Sequence, residues 1–300
     1  MFGHAGRVQE MFAGVGVRGW VHARCLGCGG EVGVGADELV VLSSVVKLPL
    51  VVEFARQVAA GQVDPRDRVR AEAADRLGGA GTSGCADDVE LSLRDAALFA
   101  LSVSDSTAAD LLFDRVGLDN VRSLMRELGL VRTRIVGALR DLVLTMVQDL
   151  GAGDAAEFAR RYRESPAAEI FAMRVYDPAR TTASTPREMT RLLELIARDE
   201  AGPPQACRMV RELMGHQVNQ QRLPAAFPAD VAVWSKTGTL PGVRNEIGVV
   251  EFPDETRYAV AVFTRAQTLD LRRPDVDRVI GSAAAAAIAE IRHTDQCGIR

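Results

Sequence analysis

A serine and a lysine, Ser44 and Lys47, stand three positions apart in the otherwise apolar segment 41–50. On the first turn of a helix, this spacing places both side chains on one face. A lysine in apolar surroundings loses proton affinity because desolvation disfavours its charged form. Such an amine can take the proton of a neighbouring hydroxyl, so the pair predicts a nucleophilic serine. The alternative is a helix start with a serine cap and one snorkelling lysine.

Lysine usage favours the chemical interpretation. The chain has 36 Lys plus Arg, but only two of them are lysines, Lys47 and Lys236. Surface charge is therefore supplied by arginine, which cannot lose its proton in a protein, whereas lysine can be tuned to act as a base. The second lysine lies in the segment 235–239, Ser-Lys-Thr-Gly-Thr, at the edge of an apolar run. Both lysines are thus candidates for catalysis.

Composition limits the class of protein. A chain of 300 residues with 47 % hydrophobic and 25 % charged residues is typical of one large globular domain or two closely packed subdomains. The net charge of −4 provides no basic surface, so no nucleic acid partner is expected. No apolar run reaches membrane-spanning length and the N-terminus shows no signal peptide pattern, so the sequence predicts a cytoplasmic protein without a membrane partner.

Cysteine usage predicts neither a disulfide framework nor a metal site. The five cysteines are an odd number in a long chain: Cys25, Cys28, Cys85, Cys207 and Cys297. The first two form a C-x-x-C pair, but no second pair and no nearby histidine completes a zinc site. A glycine-rich stretch at 78–84 lacks the G-K-[ST] ending of a phosphate-binding loop, so a flexible connector is expected there. No cofactor is expected.

Periodicity predicts strands at both ends of the chain and helices in the middle. Strands are expected over 15–25, 31–35, 231–235, 246–252 and 258–264, and helices over 7–12, 44–60, 92–103, 108–116, 118–128, 203–214 and 274–292. A further helix is expected to start at 185–188. The segment 135–180 is ambiguous. The terminal strands can pair into one antiparallel sheet with terminal helices on one face, while the central helices form a second lobe. The apolar helix that begins at Ser44 would lie between them, where ligand clefts usually occur.

Three motifs in this order resemble a known superfamily. They are S-x-x-K at Ser44 and Lys47, S-D-x at 104–106, and K-T-G at 236–238. They resemble the active-site serine β-lactamases and penicillin-binding proteins, most closely the class A β-lactamases. The stretches SSVVKLPL, SVSDSTAADLLFDRVG and TTASTPREM also resemble segments of that family, and the similarity extends over roughly residues 15 to 290.

The resemblance implies an α+β fold of the β-lactamase/DD-peptidase type, with a five-stranded antiparallel sheet flanked by helices and an all-α lobe. The expectation is a single catalytic domain over 1–300, with an α/β lobe from about 1–43 and 215–300 and an all-α lobe from about 44–214.

The resemblance also implies residue roles. Ser44 would be the acylated nucleophile and Lys47 its general base, while Ser104 would pass a proton to the leaving nitrogen. Lys236 would hold Ser104 and the substrate electrostatically, and the N–H groups of Ser44 and Thr239 would form the oxyanion hole. The expected substrate-binding residues, which would contact a carboxylate-bearing small molecule, are Ser106, Thr237, Gly238, Thr239, Arg222 and Arg244. A solvated surface arginine is the alternative for each of the last two.

Two departures from the family pattern concern turnover. Ser106 replaces the usual amide of the middle motif and cannot span the same distance. Class A enzymes also carry an E-x-x-L-N loop whose glutamate activates the deacylating water, but the corresponding segment 133–141 contains no glutamate. Asp141, Asp149 and Glu157 are candidates by residue type, although none has the spacing.

The predicted function is therefore an active-site serine hydrolase that acts through an acyl-serine intermediate on a β-lactam or a related amide or ester. Two alternatives remain. One is a β-lactam-binding sensor that is acylated and deacylates slowly, and the other is an acyltransferase or esterase of secondary metabolism. A catalytically idle scaffold would retain the fold alone. The oligomeric state is left open.

Overall fold

The computed structural model describes residues 4–293, and for residues 4 and 5 only the backbone. Within this range the strands are β1 (Val17–Cys25), β2 (Glu31–Val34), β3 (Val40–Val41), β4 (Arg68–Ala71), β5 (Val89–Ser92), β6 (Ala183–Ser184), β7 (Ala232–Leu240), β8 (Val243–Glu251) and β9 (Arg257–Ala266). The helices are α1 (His4–Gly14), α2 (Lys47–Ala59), α3 (Leu93–Ser102), α4 (Ser106–Val116), α5 (Leu118–Glu127), α6 (Leu139–Asp149), α7 (Ala155–Glu164), α8 (Ala167–Ala172), α9 (Pro186–Ala197), α10 (Pro204–Gly215) and α11 (Pro274–His293).

The predicted antiparallel sheet is confirmed, and it has five strands in the order β2-β1-β9-β8-β7. The two ends of the chain meet where β1 pairs with β9, with Val17 opposite Ala266 and Cys25 opposite Tyr258. β7 and β8 form a hairpin in which Lys236 lies opposite Ile247. The sheet therefore presents Lys236 on an edge strand whose register is fixed over nine residues.

Helices cover both faces of the sheet. α1 and α11 pack on the outer face against β1 and β9. The alanine run of α11 lets this helix approach closely, and Ala283, Ala284 and Ala287 are buried. α9 packs against the inner face, where its apolar residues join the main core with Ala259, Ala261 and Phe263.

Helix α2 lies at the centre of the molecule. It contacts α3, α4, α5 and α10, so it is surrounded on most sides. Its first residues, from Lys47 to Val52, are all buried. A helix that is apolar around most of its circumference is stable only in such an interior position, so the predicted burial of this helix is confirmed.

Capping residues in the sequence correctly predicted where α3 and α9 begin. Ser92 caps α3 by accepting from the Asp95 N–H, and Thr185 caps α9 by accepting from the Glu188 N–H, with Pro186 at the first helical position. The ambiguous segment 135–180 contains α6, α7 and α8. Only Leu139 of α6 and Ile170 of α8 are buried in these helices, so their apolar pattern is weak.

The structure also bears on what was expected of the cysteines, metal ions and membranes. Cys25, Cys85 and Cys207 are free thiols and Cys28 is disulfide-bonded, while Cys297 lies outside the described residues. Among residues 4–293, no group of three or more His, Cys, Asp or Glu side chains is arranged to hold a metal ion. No helix in that range has the length and apolar character needed to cross a membrane.

Candidate active site

Ser44 lies in a tight turn that leads into α2. The turn is a 3₁₀ helix over Ser43–Val46 that continues directly into the α-helix at Lys47. Ser43 adopts a left-handed backbone conformation with φ of 51°, which costs a non-glycine residue of order 1–3 kcal/mol. Its side chain donates to the Thr239 carbonyl at 3.0 Å. This contact holds the turn against the end of β7 and leaves the neighbouring Ser44 partly accessible.

Lys47 is completely buried beneath the serine motif of α4. Its Nζ donates to the Ser104 carbonyl at 2.5 Å and to Ser106 Oγ at 3.1 Å, and it lies 3.4 Å from Ser104 Oγ. Ser104 presents its carbonyl from a left-handed conformation with φ of 60°. The structure therefore brings the S-x-x-K and S-D-S motifs into direct contact through the lysine.

Lys236 completes this group from the sheet side. Its Nζ donates to Ser104 Oγ at 3.0 Å and to the Thr237 carbonyl at 2.9 Å, and its side chain is fully buried. Ser104 Oγ thus lies between the two lysines of the chain. A hydroxyl in this position can receive a proton from one amine and pass it to a third group, as a proton relay requires.

Burial shifts the proton affinity of both lysines. Desolvation lowers the pKa of Lys47 to about 7, although the carboxylates of Asp105 and Asp110 partly oppose the change. Desolvation, reinforced by the positive charges of Lys47 and Arg222, lowers the pKa of Lys236 well below its usual range. A substantial fraction of Lys47 is therefore neutral at physiological pH, which is the form that a general base needs.

The K-T-G motif on β7 packs so closely against the Ser44 turn that only a glycine fits at position 238. A Cβ at Gly238 would lie 2.7 Å from the Leu42 carbonyl oxygen and 3.1 Å from a methyl group of Val45. The next residue, Thr239, lines the same cavity as Ser44. Ser44 and Thr239, whose N–H groups are expected to form the oxyanion hole, therefore line one cavity.

The two candidate arginines occupy different surroundings. Arg222 is buried and donates to Thr239 Oγ1 at 2.9 Å, to the Asn245 carbonyl at 2.7 Å and to Asp277 at 2.7 Å. Arg244 donates to Asp277 at 2.8 Å and to the Leu271 carbonyl. Arg222 therefore positions a predicted substrate-binding residue, Thr239. Arg244 lies opposite Thr239 on β8, but its side chain is bonded to Asp277 and the Leu271 carbonyl.

The cavity beside Ser44 is mainly apolar. It has a volume of ≈ 130 Å³, and its polar lining consists of serine and threonine hydroxyls. The apolar lining residues are Val41, Leu77, Leu139, Leu142, Val143, Met146, Val175 and Leu240. No aspartate or glutamate of residues 4–293 lines it.

The acidic residues considered for water activation are engaged elsewhere. Asp141 accepts from the Ala138 N–H at 2.8 Å at the start of its own helix. Asp149 is paired with Arg174 at 2.6 Å, and Glu157 with Arg161 at 2.7 Å. The structure places none of these three carboxylates in the lining of the Ser44 cavity.

The sequence interpretation missed Asp110, a buried carboxylate on α4. Its two oxygens accept from the N–H groups of Leu139 and Arg140, both at 2.7 Å, and so hold the first turn of α6. Burial raises its pKa to about 6. Its position within the apolar stretch Ala-Ala-Asp-Leu-Leu after the second motif is the feature that marks it in the sequence. With both oxygens occupied, Asp110 anchors the helix that covers the cavity.

Asp105 has a similar anchoring role for the glycine-rich loop. It caps α4 through the Ala108 N–H at 3.0 Å and accepts from the Thr82 N–H at 2.6 Å and hydroxyl at 2.8 Å. A Cβ at Gly81 would lie 2.3 Å from the Asp105 carboxylate, and φ at that glycine is +80°. The loop therefore packs onto the S-D-S motif.

Sequence comparison identifies the family of the chain. The model of a family described as the Beta-lactamase enzyme family matches residues 5–291. A protein named beta-lactamase regulatory protein BlaB, from Streptomyces cacaoi, is 30 % identical over 286 residues, which are 90 % of this chain and 91 % of that protein.

Structure comparison gives a consistent result. A β-lactamase from Sphaerobacter thermophilus superposes with a TM-score of 0.76 and 26 % identity, covering 97 % of each chain. A class A β-lactamase from Mycobacterium abscessus has the same fold, with a TM-score of 0.78, 20 % identity, and coverage of 96 % of this chain and 99 % of the other. The chain belongs to the β-lactamase enzyme family.

Proposed function

We propose that the protein reacts with a β-lactam or a related amide through Ser44 and then holds the acyl group, so that it acts as a slowly deacylating acyl-serine protein. The observation that carries this proposal is the apolar lining of the Ser44 cavity, in which no described carboxylate is available to activate water. The similarity to a protein named as a regulator of β-lactamase supports the same function.

In the proposed acylation step, Ser44 is the nucleophile and the two lysines and Ser104 handle the protons and charges. Neutral Lys47 takes the Ser44 hydroxyl proton as Oγ attacks the carbonyl carbon. The N–H groups of Ser44 and Thr239 then stabilise the oxyanion. As the carbon–nitrogen bond breaks, Ser104 Oγ gives its proton to the leaving nitrogen and regains one from Lys47, 3.4 Å away. Lys236, 3.0 Å from Ser104 Oγ, stabilises negative charge on that oxygen and on a substrate carboxylate.

A serine substitution tests the nucleophile. Wild-type protein incubated with benzylpenicillin is expected to gain one adduct by intact-mass spectrometry, and peptide mapping should place it on Ser44. Ser44→Ala should show no adduct. Ser43→Ala is the matched control, because Ser43 is the adjacent serine and its hydroxyl is bonded to the Thr239 carbonyl. An adduct that persists on Ser44→Ala protein, or one that maps to another residue, would show that this proposal is wrong.

The acylation rate should depend on pH through Lys47. Since the pKa of Lys47 is lowered to about 7, its neutral form increases as pH rises through that value. The rate should therefore fall about tenfold for each pH unit below 7 and level off above it. Stopped-flow measurement with a chromogenic cephalosporin between pH 5 and 9 checks this profile.

Asp110→Asn provides the control for this assignment. The Asp110 carboxylate raises the pKa of Lys47, so removing the charge should move the midpoint of the profile to lower pH. A midpoint that moves upward, or a wild-type rate that is flat down to pH 5, would contradict the role of Lys47 as base.

A further inference from the structure

A second cavity, of ≈ 400 Å³, lies between the inner face of the sheet and the segment 38–41 that leads to the Ser44 turn. Its volume falls within the range of small-molecule sites, about 300–1,000 Å³. The acylation mechanism uses none of its residues. Val41 lines both this cavity and the Ser44 cavity, so an occupant would contact the segment immediately before the nucleophile.

One part of the cavity wall is aromatic and aliphatic. Phe263 and Val243 are buried, and Trp20 is half-buried beside them. The Trp20 ring is fixed in place, because its Nε1 donates to Glu38 at 2.9 Å and the Arg18 guanidinium lies 4.8 Å from its centroid. This wall provides a preformed apolar surface, so little side-chain entropy would be lost when an apolar group binds.

Another part of the wall carries a positive charge that no carboxylate contacts directly. Arg18 is neutralised by Glu38 at 2.5 Å. Arg265 instead donates to the Tyr176 carbonyl at 2.5 Å and stacks on Phe171 and Tyr176 at 4.9 and 5.1 Å. Within the described part of the chain, no aspartate or glutamate forms an ion pair with Arg265, and the Asp177 carboxylate acts on it only at longer range. A half-buried guanidinium of this kind favours an anion beside it.

We propose that this cavity is a binding site for a small carboxylate with an aromatic or branched apolar body. The carboxylate would pair with Arg265, and the body would pack on Trp20 and Phe263. Charge and shape select this class together, since a fully polar anion would leave the aromatic wall without an apolar partner, and a neutral apolar molecule would leave Arg265 without a direct ion pair.

Tryptophan fluorescence gives a local readout of binding. The chain contains two tryptophans, so Trp234→Phe leaves Trp20, in the cavity wall, as the only one. Titration of this protein with 4-phenylbutyrate should produce a saturable change in Trp20 emission. The uncharged analogue 4-phenylbutan-1-ol should bind about tenfold more weakly, because it cannot form the charge-assisted pair with Arg265.

Three further variants test the site. Arg265→Gln should weaken 4-phenylbutyrate binding about tenfold, whereas Arg265→Lys should retain most of it. Val243→Phe, which fills the cavity, should abolish binding. Leu142→Ala, which changes only the Ser44 cavity, should leave the dissociation constant unchanged.

Any one of three results would overturn the proposal. They are equal affinity for the acid and the alcohol, the absence of a saturable change in Trp20 emission, and loss of binding in Leu142→Ala. If Arg265→Gln does not fold, the comparison of acid with alcohol on Arg265→Lys and wild-type protein decides the question. Because the readout is Trp20 emission, it does not depend on whether Ser44 is acylated by β-lactams.

Discussion

Lys47→Arg is expected to abolish acylation of Ser44, lowering its rate by about 10²–10⁴-fold, the usual contribution of a well-placed general base. The substitution keeps a positive charge but removes the amine that is expected to act as the base for Ser44, since arginine stays protonated in proteins. The lysine that it replaces is fully buried, with its pKa lowered to about 7. Stopped-flow acylation with a chromogenic cephalosporin measures the loss.

Lys236→Arg is the matched comparison, because Lys236 is the only other lysine of the chain and is equally buried. Its role is electrostatic, so a guanidinium should retain part of it, and the expected loss is smaller than the roughly 10²–10³-fold that follows removal of one oxyanion-stabilising donor. Circular dichroism of both variants controls for folding. Equal losses in two folded variants would show that the separate roles assigned to the lysines are wrong.

Much of this site was predictable because its parts are encoded locally. The spacing of Ser44 and Lys47 requires only helix geometry. Lys236 directly follows the predicted strand 231–235, although β7 extends to Leu240 and buries the consecutive residues from Trp234 to Gly238 instead of alternating. Helix starts at Ser92 and Thr185 follow from capping chemistry within four residues. The antiparallel sheet follows from the placement of apolar strands at both chain ends, while the order of its strands is a long-range property that no local pattern fixes.

The features that escaped prediction depend on long-range contacts. The left-handed conformation of Ser43 is imposed by its bond to the Thr239 carbonyl, 196 residues away in sequence. The role of Asp110 depends on α6, a helix whose apolar residues face a cavity and a minor core and therefore lack clear periodicity. The surroundings of Arg222 and Arg244 depend on Asp277, which lies on α11 and binds both, so the sequence alone could not distinguish a substrate-binding arginine from a surface one.

Deacylation is expected to limit turnover of β-lactams. Without a positioned general base, release of the acyl group should be slower by about 10²–10⁴-fold than in a class A enzyme that has one. Under these conditions the first turnover is fast and later turnovers are slow. Stopped-flow traces should therefore show a burst of one product per protein molecule, followed by a slow steady rate. Rapid turnover without a burst would mean that another group activates water.

A glutamate introduced at position 136 should accelerate that slow step. In the E-x-x-L-N pattern the glutamate precedes the leucine by three residues, and counting back from the buried Leu139 gives Val136. Val136 is 39 % exposed and does not itself line the Ser44 cavity, but its N–H donates at 3.2 Å to the hydroxyl of Thr182, which does.

Val136→Glu should raise the deacylation rate by at least about 10²-fold, the lower limit for a general base, while the acylation rate stays nearly unchanged. The burst should shrink accordingly, and the adduct seen by intact-mass spectrometry should decay faster. Leu144→Glu is the control, because Leu144 is 54 % exposed on α6 and does not line the cavity. If both variants deacylate as slowly as the wild type, the missing carboxylate is not what keeps the acyl group on Ser44. The apolar wall formed by α6 would then be the barrier to water, and variants that shorten its side chains, beginning with Leu142→Ala, would be the ones that release the acyl group.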